Sequence, residues 1–166
     1  MSYQSLSTGK ELDVAIKNII NPSKFEGKST SDIGSPHIFT EAGTMDVTFV
    51  DVEFETSGDF TYSNGVVTYI GDNDVELGMN ISCSIYCDTK NVTLRLAQFQ
   101  NNVEVKSSEN VSKSESNISK VPFSIDAPFS LSKNDTINLK IISDGACTAT
   151  IYHFSVVLVV NKVILV

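Results

Sequence analysis

The chain has no tryptophan, two histidines, three cysteines and four prolines in 166 residues, and Arg95 is its only arginine. Lysine and arginine together number 12 against 20 acidic residues, a formal net charge of −8. Phosphate neutralisation requires clustered Lys and Arg, so this balance excludes a nucleic-acid backbone as partner. His37 and His153 are the only imidazoles, and His153 has no cysteine or carboxylate at ligand spacing. It therefore reads as a core or interface histidine rather than a metal ligand or general base. Cys147 and His153 stand six residues apart in one strand pattern, about 20 Å, which rules out a Cys–His dyad. There is no phosphate-cradling glycine loop and no nucleophile elbow. Asp51, Glu53 and Glu55 alternate with apolar residues and read as an outward sheet face, not paired catalytic acids. The chain is expected to be no enzyme and to need no cofactor.

An odd number of cysteines does not make a disulfide framework. Cys83 and Cys87 point the same way in one strand pattern, about 13 Å apart and too far to bridge. All three cysteines read as small core hydrophobes of a protein made in a reducing cytosol. The N-terminus shows no charged-then-apolar leader, and secretion is not expected. No run reaches the roughly 18 apolar residues of a membrane span. The longest, 156–166, is interrupted by Asn161-Lys162. Asn-x-Ser/Thr triplets at Asn80, Asn91, Asn110, Asn117 and Asn134 are then expected to be unglycosylated.

What the chain does have is 41% hydrophobic residues, enough for one domain with a real core. Its only helical signal lies in residues 1–22. Thr8 and Glu11 make a capping box, and Leu12, Ile16, Ile19 and Ile20 form one apolar stripe that Asn21-Pro22 ends. A helix of about twelve residues is marginal alone, so the stripe must dock, on its own domain, a sister subunit or a larger assembly. Residues 23–36 read as linker, with a boundary between an N-terminal attachment segment, 1–36, and a β domain, 37–166.

From His37 onward the chain reads as strand after strand. Val47 and Phe49 share one parity while Val50, Val52 and Phe54 share the other, which predicts a bulge. Asn64-Gly65, between Phe60-Thr61-Tyr62 and Val67-Thr68-Tyr69, predicts a type I′ hairpin. Met79, Ile81, Cys83, Ile85 and Cys87 alternate with polar residues as a half-buried strand, and Val92, Leu94 and Leu96 repeat the pattern. Residues 98–119 read as a long polar surface loop with a short strand at 103–105. Strands follow at 120–125 and 129–131. The total, about eight to ten strands with almost no helix, predicts a two-sheet antiparallel sandwich.

The last long apolar stretch organises the rest. Thr136–Ser143 and 147–160 flank Asp144-Gly145, which predicts a closing hairpin. The second run, apolar on both faces, asks for cover on both sides. Its residues Tyr152, Phe154, Val156 and Leu158 are the candidate contacts with a neighbouring subunit. Asp72, Asp74 and Glu76, at i, i+2 and i+4, are candidates for a hard cation and otherwise form a solvated turn. Tyr3, Tyr62, Tyr69 and Tyr86 are candidates for stacking on a sugar and otherwise pack in the core.

Several segments resemble a known family. Phe60-Thr61-Tyr62-Ser63-Asn64-Gly65, the following Val67-Thr68-Tyr69-Ile70-Gly71, and Val92-Thr93-Leu94-Arg95-Leu96 with Asn101-Asn102 are similar to the tumour necrosis factor and complement globular-head jelly roll. So is Phe129-Ser130-Leu131 leading through Asn134-Asp135 into Thr136-Ile137-Asn138-Leu139, where the family usually carries glycine at the position of Asn134. Thr150-Ile151-Tyr152-His153-Phe154 fits the family's last strand, and the likeness covers residues 45–160. The resemblance implies a jelly roll that closes as a tight homotrimer. A jelly roll behind a short N-terminal attachment segment also resembles bacteriophage virion proteins: head decorations, head fibres and tail-fibre tips. It implies a structural protein at the virion surface, made in the host cytoplasm and bound to a major capsid or fibre-base protein. The alternative is a tail-fibre adhesin gripping a host glycan.

Overall fold

Residues 23–110 and 121–164 are described by the computed structural model of the chain. Among them are twelve strands and no helix, hence none long and apolar enough to cross a membrane. The strands are β1 (Lys24–Ser29), β2 (Ser35–Phe39), β3 (Gly43–Asp46), β4 (Val52–Ser57), β5 (Phe60–Ser63), β6 (Val66–Tyr69), β7 (Asp74–Cys87), β8 (Leu94–Gln100), β9 (Val103–Asn110), β10 (Val121–Leu131), β11 (Thr136–Ser143) and β12 (Cys147–Ile164). They form two antiparallel sheets. One runs β10-β7-β12-β1-β4 with β2 added to β12, and the other runs β5-β6-β11-β8-β9 with β3 added to β11. This is the expected jelly-roll sandwich. The apolar stripe Leu12, Ile16, Ile19 and Ile20 lies outside the described residues, as does Tyr3.

Period-two alternation builds the core. On β7, Val75, Leu77, Met79, Ile81, Cys83 and Ile85 are buried, while the residues between them face out. Phe123, Ile125 and Leu131 of β10 continue that layer, and Leu94, Leu96, Ile137 and Ile141 face it from the second sheet. Each large aliphatic or aromatic side chain buried this way contributes about 1.5–3 kcal/mol. The Asn64-Gly65 turn is as predicted. Both residues take positive φ, 51° and 82°, as a type I′ turn requires, and Phe60 pairs with Tyr69 across it.

Four expectations change. Residues 24–29, read as linker, are a strand in the first sheet, with Phe25 buried and β1 paired to both β12 and β4. A single-sequence pattern of two apolar residues in a polar stretch had too little contrast to show it. The Asp144-Gly145 connection is not a hairpin turn, because β11 and β12 belong to opposite sheets and the chain crosses between them there. The parity switch after Phe49 likewise marks a crossing rather than a bulge. β3 pairs with β11, β4 pairs with β1, and Asp51 between them takes φ 55°. Finally, the described part of the predicted loop, 98–110, is largely strand, since β9 pairs with β8 through a turn in which Asn101 and Asn102 both have positive φ.

Two side-chain networks pin the connections. The Asp135 carboxylate accepts from Gln100 Nε2 (3.1 Å), Asn101 Nδ2 (2.7 Å) and Ser132 N (2.9 Å). Burial would raise its pKa, but these hydrogen bonds outweigh it and hold the carboxyl below the usual range. His37 is buried on β2. The Thr48 amide can only donate, so Nε2 accepts from it at 3.0 Å and the proton sits on Nδ1, donating to Ser35 O at 3.0 Å. Burial lowers the His37 pKa, more than the backbone hydrogen bonds to Ser35 and Ala149 raise it.

Because the folded pKa of His37 lies below the unfolded value, the neutral ring contributes stability that is complete above the unfolded pKa, about 6.5, and is lost as pH falls through the folded one. The urea midpoint is expected to be level above neutrality and to decline under acid. His37→Asn is expected to flatten that decline. An equal acid slope in the variant would assign it to the carboxylates instead.

Candidate functional site

The outer face of the first sheet is set by an irregularity in β12. Up to Ile151 the inward residues are Cys147, Ala149 and Ile151; beyond it they are Phe154, Val156 and Leu158. The switch occurs at His153, which takes φ 51° and interrupts the register with β7 between Tyr152 and Ser155. One inserted residue flips every later side chain to the other face. The strand's apparent double-sided apolarity is therefore mostly two half-strands of opposite phase. The Phe154 amide, freed by the bulge, donates to Ser29 Oγ at 2.9 Å.

This corrects three of the four predicted subunit contacts. Phe154, Val156 and Leu158 are 2%, 5% and 1% exposed, buried against this chain's own second sheet. Phe154 packs on Phe49 with ring centroids 4.1 Å apart. Tyr152 does face outward, half-buried. Nor is His153 a core residue: its side chain is 52% exposed, with Nδ1 3.6 Å from Asp32 Oδ1.

Between Thr150 and Val159 of β12, the outward face shared with β7 and β10 is almost free of charge, and beyond it Glu76 and Lys162 face out. Successive rungs read Val157–Asn80–Asp126, Ser155–Ser82–Ser124 and Tyr152–Ser84–Pro122, with Thr150 beside Tyr86 and Val159 beside Gly78. Val157 is 38% exposed. Asp126 is the single ionisable carboxylate in those rungs. At one end the face continues onto β2, where Pro36 and Ile38 pair with Thr150 and Thr148 and Ile38 is 66% exposed. The same sheet changes character across β1 and β4, where Lys24, Glu26, Lys28, Glu53 and Glu55 face out and Lys24 pairs with Glu26 at 3.0 Å. Between the halves lies a recess of ≈ 350 Å³ lined by Lys28, Ser29, Thr30, Ser31, Asp32 and His153.

The remaining candidates disperse. Asp72 pairs with Lys133 at 2.6 Å and Glu76 with Lys162 at 3.3 Å, so two of the three carboxylates face lysines. Among the described residues no three metal-ligating side chains are gathered. Tyr69 is 1% exposed, its hydroxyl donating to Asn73 O at 2.7 Å, and offers no ring face to a sugar. Burial first, then the carboxylates Asp59, Asp74 and Asp72, push its phenol up to about 12. Tyr62 stacks on Phe54 at 4.1 Å between centroids. Tyr86 is half-buried on the uncharged face.

The His153 conformation has a measurable cost. A non-glycine residue at positive φ is disfavoured by about 1–2 kcal/mol, partly offset in a glycine variant by the greater freedom of its unfolded chain. His153→Gly is expected to raise stability by about 0.5–1 kcal/mol in denaturant unfolding, since the exposed His153–Asp32 pair is worth little. A loss of stability would show that the imidazole's own contacts hold the bulge.

The fold this geometry defines is the tumour necrosis factor jelly roll. Among solved structures, the chain is similar to the Eiger TNF of S. frugiperda, at 10% identity over 85% of this chain and 94% of that one, with a TM-score of 0.55. It is similar to murine APRIL, solved at pH 8.0, at 9% identity over 84% and 98% with a TM-score of 0.50. The globular domain of zebrafish complement 1qA protein matches at 14% identity over 86% and 99%, with a TM-score of 0.48. No family model and no curated protein matches the chain. At such identities the likeness to the first two is one of fold.

Proposed function

We propose that the chain is a structural protein of a bacteriophage particle, a homotrimeric jelly roll displayed at the virion surface and held to a capsid or fibre-base protein by its N-terminal segment. The observation that carries the assembly is the uncharged face of β12, β7 and β10. Depletion of charge with tyrosine present is what distinguishes the buried centre of an interface from ordinary surface. An acidic chain of net charge −8 that leaves the middle of three adjacent strands nearly without charge has a face suited to a second copy of itself. Burial there contributes about 25 cal/mol per Å² before association costs. The virion assignment rests on the likeness of a jelly roll joined to a short attachment segment, with the stripe Leu12, Ile16, Ile19 and Ile20 as the contact to the particle.

Deleting residues 1–22 tests the attachment. The truncated chain is expected to remain a soluble trimer and to be missing from particles. Incorporation at full occupancy would refute the anchor.

A second reading, the adhesin, is favoured by the hydroxyl-rich recess beside His153, which has the donors and acceptors a sugar needs. Selective binding on a glycan array, abolished by Asp32→Ala, would support it. Silence on the array would favour the decoration.

A further inference from the structure

Strand pairing brings two of the three thiols together. Cys87 ends β7 and Cys147 begins β12, and Cys87 lies opposite Ala149, which places Cys147 on the adjoining diagonal. Both lie at the inward parity of their strands, two residues from the buried Ile85 and Ala149. Cys147 is buried and also lies 3.5 Å from Ser143 Oγ; Cys87 is half-buried and its Sγ donates to Thr89 O at 3.4 Å. The rung between them is fixed twice, by Asp88 N donating to Thr148 O at 3.2 Å and Thr148 N to Asp88 Oδ1 at 2.7 Å. Cys83 sits four residues back on the same strand, about 13 Å away and out of reach.

We propose that Cys87 and Cys147 are a thiol–disulfide exchange site, in which the accessible Cys87 reacts with a small-molecule disulfide and Cys147 resolves the adduct into a bridge between β7 and β12. In the first step the Cys87 thiolate attacks one sulfur of the small disulfide, forming a mixed disulfide and releasing one small thiolate. In the second, the Cys147 thiolate attacks the Cys87 sulfur, closing the internal bond and expelling the other small thiolate. The two protein thiols lose two electrons and their two protons pass to the released thiolates, so the small disulfide leaves as two thiols. Diagonal neighbours stand farther apart than a relaxed disulfide prefers. Closure therefore draws the strand ends together, and the bridge is strained, reducible and reversible rather than a permanent staple. Burial, more than any neighbouring group, pushes the Cys147 thiol up to about 11, so closure is the slower step and accelerates with pH. The bridge would lock the connections at 88–93 and 144–146, which leave these strand ends.

The test is oxidised glutathione added to the full chain, followed by peptide mapping without reductant. A Cys87–Cys147 cross-linked peptide is expected, removed by dithiothreitol. Cys147→Ser is expected to stop at a glutathione adduct on Cys87, and Cys83→Ser to change nothing. In the unaltered chain the adduct should appear first and decay into the bridge faster at higher pH, which keeps the test valid if Cys147→Ser does not fold. A persistent adduct in the unaltered chain, no adduct at all, or a bridge joining two chains would overturn the proposal.

Discussion

Val157→Glu is expected to turn the assembly into folded monomers. Val157 stands on the uncharged face, 38% exposed and flanked by Asn80 and Glu26. In a single chain the new carboxylate would extend into water and cost almost nothing, so thermal unfolding of the monomer should be close to that of the parent domain. In the assembly each copy would bury a charge without a partner, at a cost of several kcal/mol. About 3 kcal/mol is roughly a hundredfold weakening at each contact. Sedimentation should show the parent and variant separating by assembly mass alone. A variant that stays assembled would place the contact on some other face, and one that unfolds would mean Val157 packs inside the chain.

Phe154→Ala should do the opposite. Three residues away on the same strand, Phe154 points into the sandwich at 2% exposure, against Phe49 and beside Val156 and Leu158. Its loss removes the ring's transfer free energy and leaves a void lined by aromatic and aliphatic side chains. Such truncations cost about 3–5 kcal/mol, a large share of the 5–15 kcal/mol that a domain has. The expected result is a melting temperature lower by about 10 °C, with any protein that remains folded still assembled. If Phe154→Ala instead dissociated a stable domain, the phase of β12 after His153 would be wrong.

These two outcomes depend on the bulge, which marks the limit of what the sequence pattern could say. Alternation located β7, β8 and the Asn64-Gly65 hairpin because each is a local statement about one strand or one turn. Which sheet a strand joins is a non-local fact. That is why the Asp144-Gly145 crossing read as a hairpin and why the change of parity after Phe49 read as a bulge. The signal for the true bulge was present in the same form: Cys147, Ala149 and Ile151 have odd numbers, while Phe154, Val156 and Leu158 have even ones. It was obscured because His153 gives no hint of positive φ, as a glycine would, and because a strand apolar at both parities is also what double-sided burial looks like. The uncharged face was legible only once register was known. Ser82, Ser124 and Ser155 are unremarkable until they stand side by side.

The charge pattern of the first sheet follows from the same arrangement. β1 and β4 carry Lys24, Glu26, Lys28, Glu53 and Glu55 outward, which keeps that half wet and gives edge strand β4 charged residues against unwanted strand pairing. Between Thr150 and Val159, the β12, β7 and β10 half carries Asp126 alone.

Sedimentation equilibrium of the intact chain over a range of low concentrations tests self-assembly most directly. The account predicts a mass of three 18.1 kDa chains. A single-chain mass at micromolar concentration, with the face of β12, β7 and β10 bare in solution, would contradict it.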